Sequence, residues 1–218
     1  MRKHSRSVAV VGVAVVGVAV VACLTAGCST TGYQRAQKTA ESLQATKAAL
    51  RAADQQVVRT MATCKRMVQT PGADLRPLYE QFKQNVAAIE RQAGTARWRA
   101  NSYRKNANAY LAQWSQELSA IEDDNIRLQS SRRRSEVLAG FHGIERAAAA
   151  TRQAYGPLVK ELNGIVQSLG QDLTPSGVAS VQAPHSRALK RATALRGNIA
   201  QLLRELDTVA RTLQPQAR

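Results

Sequence analysis

Apolar residues recur at alternating steps of three and four along most of this chain, and four such seams can be traced. The first runs Ala36, Ala40, Leu43, Lys47, Leu50, Asp54, Val57, Met61, Cys64 and Val68, with Lys47 and Asp54 as its polar members. The second runs from Leu75 through Phe82, Val86, Ile89, Ala96, Tyr103, Tyr110 and Trp114 to Ile121, with Glu117 as its polar member. The third runs from Val137 through Phe141, Ile144, Thr151, Tyr155, Leu158, Leu162 and Ile165 to Leu169. The fourth, Ala188, Ala192, Leu195, Ile199, Leu202, Leu206, Val209 and Leu213, is apolar throughout. An average step of 3.5 residues is the coiled-coil period, and a helix with one such stripe must bury it against a neighbour.

Breakers separate the seams. Pro71-Gly72 is a clear stop, Asp123-Asp124-Asn125 a weaker one, and Gly170, Pro175, Gly177 and Pro184 the densest cluster. The spacing predicts a second helix over 74–122 and a third over 126–171. Short connections make sequential helices antiparallel, and a helix of about 45 residues is roughly 70 Å long. The expected fold is all-α: an elongated antiparallel coiled-coil or helical bundle of about four long helices. Thr174 before Pro175 reads as a cap followed by proline at the first helical position. Pro184 predicts a kink or restart in the last helix, and Pro157, beside Gly156, a bend in the third.

The N-terminus has a different pattern. Arg2, Lys3, His4 and Arg6 precede an unbroken run of small and apolar residues from Val8 to Leu24. A cationic start, an apolar middle and small residues at the end make the pattern of a secretory signal. Leu24-Thr25-Ala26-Gly27-Cys28 resembles the lipobox of bacterial lipoproteins. That resemblance implies recognition of Leu24, Thr25, Ala26 and Gly27 by a signal peptidase, cleavage before Cys28, and lipid on the Cys28 thiol. Thr25 departs from the leucine most often found at that place. Val20-Val21-Ala22-Cys23 is a second, less suitable box, because cutting there would shorten the apolar run. An uncleaved anchor is the alternative, since the apolar stretch is just long enough to span a bilayer. Conventional cleavage with release is a third. The expected organisation is a leader over 1–27, a lipidated tether over 28–32 and a helical-bundle domain over 33–218. Ser29, where Asp would mark inner-membrane retention, points to an outer-membrane protein facing the periplasm in a Gram-negative cell.

Charge adds a class of partner. The net charge is +16, and loss of Arg2, Lys3 and Arg6 with the leader leaves +13. A body this basic is drawn to phosphates, acidic lipids and acidic polymers, although arginine also serves simply to solvate helix faces. Arg97, Arg99, Arg104 and Lys105 surround Trp98 and Tyr103, and Arg132, Arg133 and Arg134 are consecutive. Consecutive arginines on a helix point in different directions, so they define no single groove. Both clusters are candidate contacts for an anionic envelope partner, and no nucleic acid is expected.

No catalytic pattern accompanies these features. His4, His142 and His185 lack metal-ligand spacing, and Glu122, Asp123 and Asp124 read as a helix end. Phosphate-loop, nucleophile-elbow and dinucleotide patterns are missing, so neither cofactor nor enzyme activity is expected. Cys64 is the one cysteine of the body and reads as a small buried hydrophobe.

Tyr33, Leu78-Tyr79, Trp114, Ile126, Leu128, Ser130, Arg133, Pro157-Leu158 and Gly170 to Leu173, following a lipobox, resemble the bacterial family called domain of unknown function 2959. The resemblance spans nearly the whole mature chain. It implies a secreted helical protein, often a lipoprotein, and supplies no activity. The expected role is that of a membrane-anchored rod that binds an envelope partner or itself, with anionic-material binding as the alternative.

Overall fold

The computed structural model describes residues 31–70 and 74–214. The leader, Leu24 to Gly27 and Cys28 lie outside the described residues. The described part holds five helices and no strand: α1 (Gly32–Gln69), α2 (Arg76–Ser119), α3 (Asp124–Gln171), α4 (Pro175–Ser180) and α5 (Gln182–Leu213). The four long helices form an antiparallel bundle. Each packs against two others, α1 on α2 and α5, and α3 on α2 and α5, while α1 and α3, like α2 and α5, lie across the diagonals. At about 1.5 Å per residue α3 is roughly 70 Å long, as a rod requires.

The seams become the core. Leu43, Val57 and Cys64 of α1, Phe82, Val86 and Ile89 of α2, Leu158, Leu162 and Ile165 of α3, and Leu195, Leu202 and Leu206 of α5 are all buried in one cluster. Each such leucine contributes about 1.5–3 kcal/mol. The seam thins in mid-bundle, where Ala93, Ala96 and Ala100 of α2 and Ala148, Thr151 and Tyr155 of α3 are only half-buried.

The breakers act as their chemistry requires. Thr31 caps α1 with a reciprocal pair of bonds: Gln34 N donates to Thr31 Oγ1 (3.3 Å) and Thr31 N donates to Gln34 Oε1 (2.8 Å). The helix therefore begins at Gly32, one residue before the expected boundary. Asp123 Oδ1 accepts from Asn125 N (2.8 Å) and Ile126 N (2.9 Å), so α3 starts at Asp124, two residues early. α2 starts and stops two and three residues inside its predicted limits. The last element divides in two. Thr174 caps a six-residue α4 with Pro175 at its first position, and α5 restarts at Gln182. Pro184 falls in the first turn of α5, where its missing N–H deprives the helix of nothing. Val178 and Val181 are buried and close the far end of the bundle. α3 runs unbroken through Pro157.

Candidate functional site

Two surface cavities and one basic helix face stand out among the described residues. The first cavity, of about 310 Å³, opens at the end of the bundle where α1 begins. Tyr33 and Ala36 of α1, Tyr110 and Trp114 of α2, Arg133 of α3 and Leu213 of α5 line it. Its wall is cross-braced. Arg35 pairs with Glu117 from α1 to α2, Trp114 Nε1 donates to Ser130 Oγ at 2.9 Å, and Arg133 Nη2 reaches Thr212 O at 3.4 Å. The Tyr110 and Trp114 rings stack at a tilt with centroids 5.4 Å apart. Burial raises the Tyr110 phenol above its usual range; Arg133 and Arg35 oppose that shift and Glu117 adds to it. The site thus offers an aromatic floor and one guanidinium.

The second cavity, of about 460 Å³, lies towards the other end between α1 and α5, lined by Met61, Lys65, Val68, His185 and Leu189. His185 Nε2 is sealed from solvent without a hydrogen-bond partner, and burial, with Lys65, lowers its pKa. Among the described residues, no group of His, Cys, Asp and Glu has the arrangement of a metal site. Asp123 and Asp124 are spent on the start of α3, by capping and by pairing with Arg127.

The arginine clusters separate in space. Arg97, Arg99, Arg104 and Lys105 all project to solvent from the middle of α2, and Trp98 between them is 60% exposed. The guanidinium of Arg99 lies 4.5 Å from the Trp98 ring centre. Arg132, Arg133 and Arg134 diverge. Arg134 Nε donates to Leu111 O of α2 (3.2 Å), Arg133 turns to α5, and Arg132 is exposed. Arg133 and Arg134 therefore brace the bundle end while Arg132 is solvated, and only Arg133 belongs to a cavity. Sequence reading did not find Tyr33, Tyr110 and Arg133 as one site; Glu117, polar within an apolar seam, was the available signal.

These features define a basic, elongated all-α bundle with a cavity of aromatic and arginine residues at the end where its first helix begins. Residues 26–213 match the model of a family described as protein of unknown function (DUF2959), and the chain belongs to that family. No curated protein and no solved structure matches it. Tyr33, Trp114 and Arg133, which carried the resemblance in sequence, line the same cavity, and Ser130 holds Trp114 in place.

Proposed function

We propose that this protein is an exported lipoprotein whose bundle acts as a structural or adaptor rod, held on a membrane by lipid on Cys28. One observation carries the reading: Leu24-Thr25-Ala26-Gly27-Cys28 stands directly before a capped helix that begins at Gly32. Ser29 and Thr30 leave a short polar tether between the cysteine and the rod. Among the described residues no helix is long and apolar enough to cross a membrane. In a Gram-negative cell Ser29 directs the protein to the outer membrane, facing the periplasm. The rod works by binding an envelope protein or a second copy of itself, without catalysis. Metabolic labelling with radioactive palmitate tests the anchor. The wild-type chain should take the label and sediment with membranes, and Cys28→Ala should lose both properties. Mass spectrometry showing an unmodified Cys28 with residues 1–27 still attached would reject it.

A second reading has its own support. From Arg91 to Gln116 the chain has five cations and no acid, and the exposed face they form suits anionic envelope material such as lipopolysaccharide or acidic lipid.

A further inference from the structure

We propose that the outer face of α2 from Arg91 to Lys105 docks on an acidic phospholipid bilayer, with Trp98 among the headgroups and the rod lying along the membrane. The inference rests on the second reading above and narrows it to one face and one partner.

Position makes the first argument. Arg91, Trp98 and Lys105 are spaced by seven, so they share one face of α2, opposite the buried seam of Tyr103, Ala107 and Tyr110. Arg97 and Arg104, again seven apart, flank that line, and Arg99 covers the ring from the other side. The stripe is about 21 Å long.

Charge makes the second. Among the described residues, the side chains of Arg91, Arg97, Arg104 and Lys105 carry no ion pair or hydrogen bond. Elsewhere on the bundle Arg35, Lys47, Arg127, Arg187 and Arg196 each hold a carboxylate, while cations such as Lys38, Arg132 and Arg152 are also without an ion pair, so what distinguishes α2 is the density of its cations and not their freedom alone. Glu90, seven residues before Arg97 and on its line, accepts from the neutral Asn163 Nδ2 at 3.3 Å and keeps its charge, so it bounds the stripe at one end. From Arg91 to Lys105 α2 carries five cations and no acid.

Shape and the tryptophan select the partner. Neither cavity includes a residue of the stripe, which lies along one helix and offers no enclosure for a small ligand. A planar acidic surface fits such a face. An indole, apolar with one polar edge, favours the headgroup layer of a bilayer, where both needs are met. A soluble polyanion would satisfy the cations and leave the exposed Trp98 ring without purpose. Trp98 stands 21 residues from the C-terminal end of α2, about 32 Å along the rod. A tether over 28–31 reaches only about 13 Å. A rod anchored at Cys28 therefore brings Trp98 to the same membrane by lying down.

Two single-tryptophan forms of the full chain test this. Trp114→Phe leaves Trp98, and Trp98→Phe leaves Trp114. Each is reconstituted into phosphatidylcholine vesicles, with or without phosphatidylglycerol, and quenching by brominated lipid is measured. Trp98 emission should shift to the blue and be quenched about twofold more on the acidic vesicles, and 1 M salt, which shortens screening to about 3 Å, should abolish the difference. Combined Arg97→Gln, Arg104→Gln and Lys105→Gln should abolish it too, with the helical circular dichroism signal retained because all three side chains are solvated. Equal Trp98 quenching on both vesicle types would overturn the proposal. Salt-dependent binding to acidic vesicles with Trp98 unquenched would overturn it while leaving the broader anionic reading intact. An equal blue shift of Trp98 emission with soluble polyphosphate and no lipid would overturn the proposal and replace the bilayer by a polyanion.

Discussion

Lys47 of α1 donates to Asp207 of α5 across the bundle, from a side chain only 8% exposed. One further turn pair along the same interface, the Arg196 guanidinium grips Asp54 through both carboxylate oxygens, at 2.7 and 3.3 Å. Both polar residues of the first seam are thus spoken for by opposite charges on one neighbour. An antiparallel α1–α5 pairing slipped by a turn would leave Lys47 in an apolar seam with no carboxylate, so these pairs select register.

Asp207→Ala should therefore lower stability by about 1–3 kcal/mol, less than the ~3–5 of a fully buried pair because Asp207 remains 42% exposed. Adding Lys47→Met to that chain should recover most of the loss, since it removes the stranded charge and keeps the packing. Urea midpoints of the two variants check this. A double variant no more stable than Asp207→Ala would show that Lys47 needs no partner.

The bundle was legible because its seams are apolar and their exceptions are paired: Lys47 and Asp54 with α5, Glu117 with Arg35. The second buried face of α1 was not. Thr39, Thr46, Gln56, Thr60 and Thr63 are buried, mostly at the α1–α2 contact, but a polar residue type gives no hydrophobic signal. Their polarity is absorbed locally, as when Thr39, Thr46 and Thr63 hydroxyls donate to carbonyls one turn back. The cavity of Tyr33, Trp114 and Arg133 was illegible for a different reason. It joins residues from four helices, and periodicity reports one helix at a time.

That α1–α2 contact includes a polar knot. Gln56 Nε2 donates to Asn85 O (3.0 Å) and Oδ1 (3.2 Å), and Asn85 Nδ2 donates to Thr63 Oγ1 (3.1 Å). Asn85→Ala should cost about 1–3 kcal/mol, because Gln56 and Thr63 lose side-chain partners where water has little access. Exposed Asn101→Ala is the control and should shift the melting temperature little. Equal shifts would mean the knot adds nothing.

Two glycines should respond in opposite directions to alanine. A Cβ on Gly177 would lie 2.1 Å from the backbone oxygen of Asp172, which is tied into the turn that caps α4. Gly177→Ala should destabilise by about 1–3 kcal/mol. A Cβ on Gly94, in the middle of α2, meets nothing within 4 Å. Gly94→Ala should stabilise by about 1 kcal/mol through helix propensity alone. Thermal melts of the two variants decide the signs, and a stable Gly177→Ala would contradict the close approach.

Cys64 supplies the pH dependence. It is fully buried in the α1 seam, and burial pushes its thiol from 9.0 up to about 12. Burial, with Glu145 nearby, likewise raises the Tyr103 phenol, so both groups stay neutral in the fold at pH values where the unfolded chain ionises. The unfolded chain then binds fewer protons, and stability must fall as pH rises. The Cys64 contribution is whole below pH 9 and declines between 9 and about 12, by about 1.4 kcal/mol per unit. Cys64→Ala should lose stability more gently than wild type over that interval, after allowance for its own cavity. The same protection should make the Cys64 peptide nearly inert to a thiol reagent at pH 8 in the native protein and reactive in urea, as read by mass spectrometry. Rapid native labelling of Cys64 would show that the α1 seam opens on the timescale of the reagent.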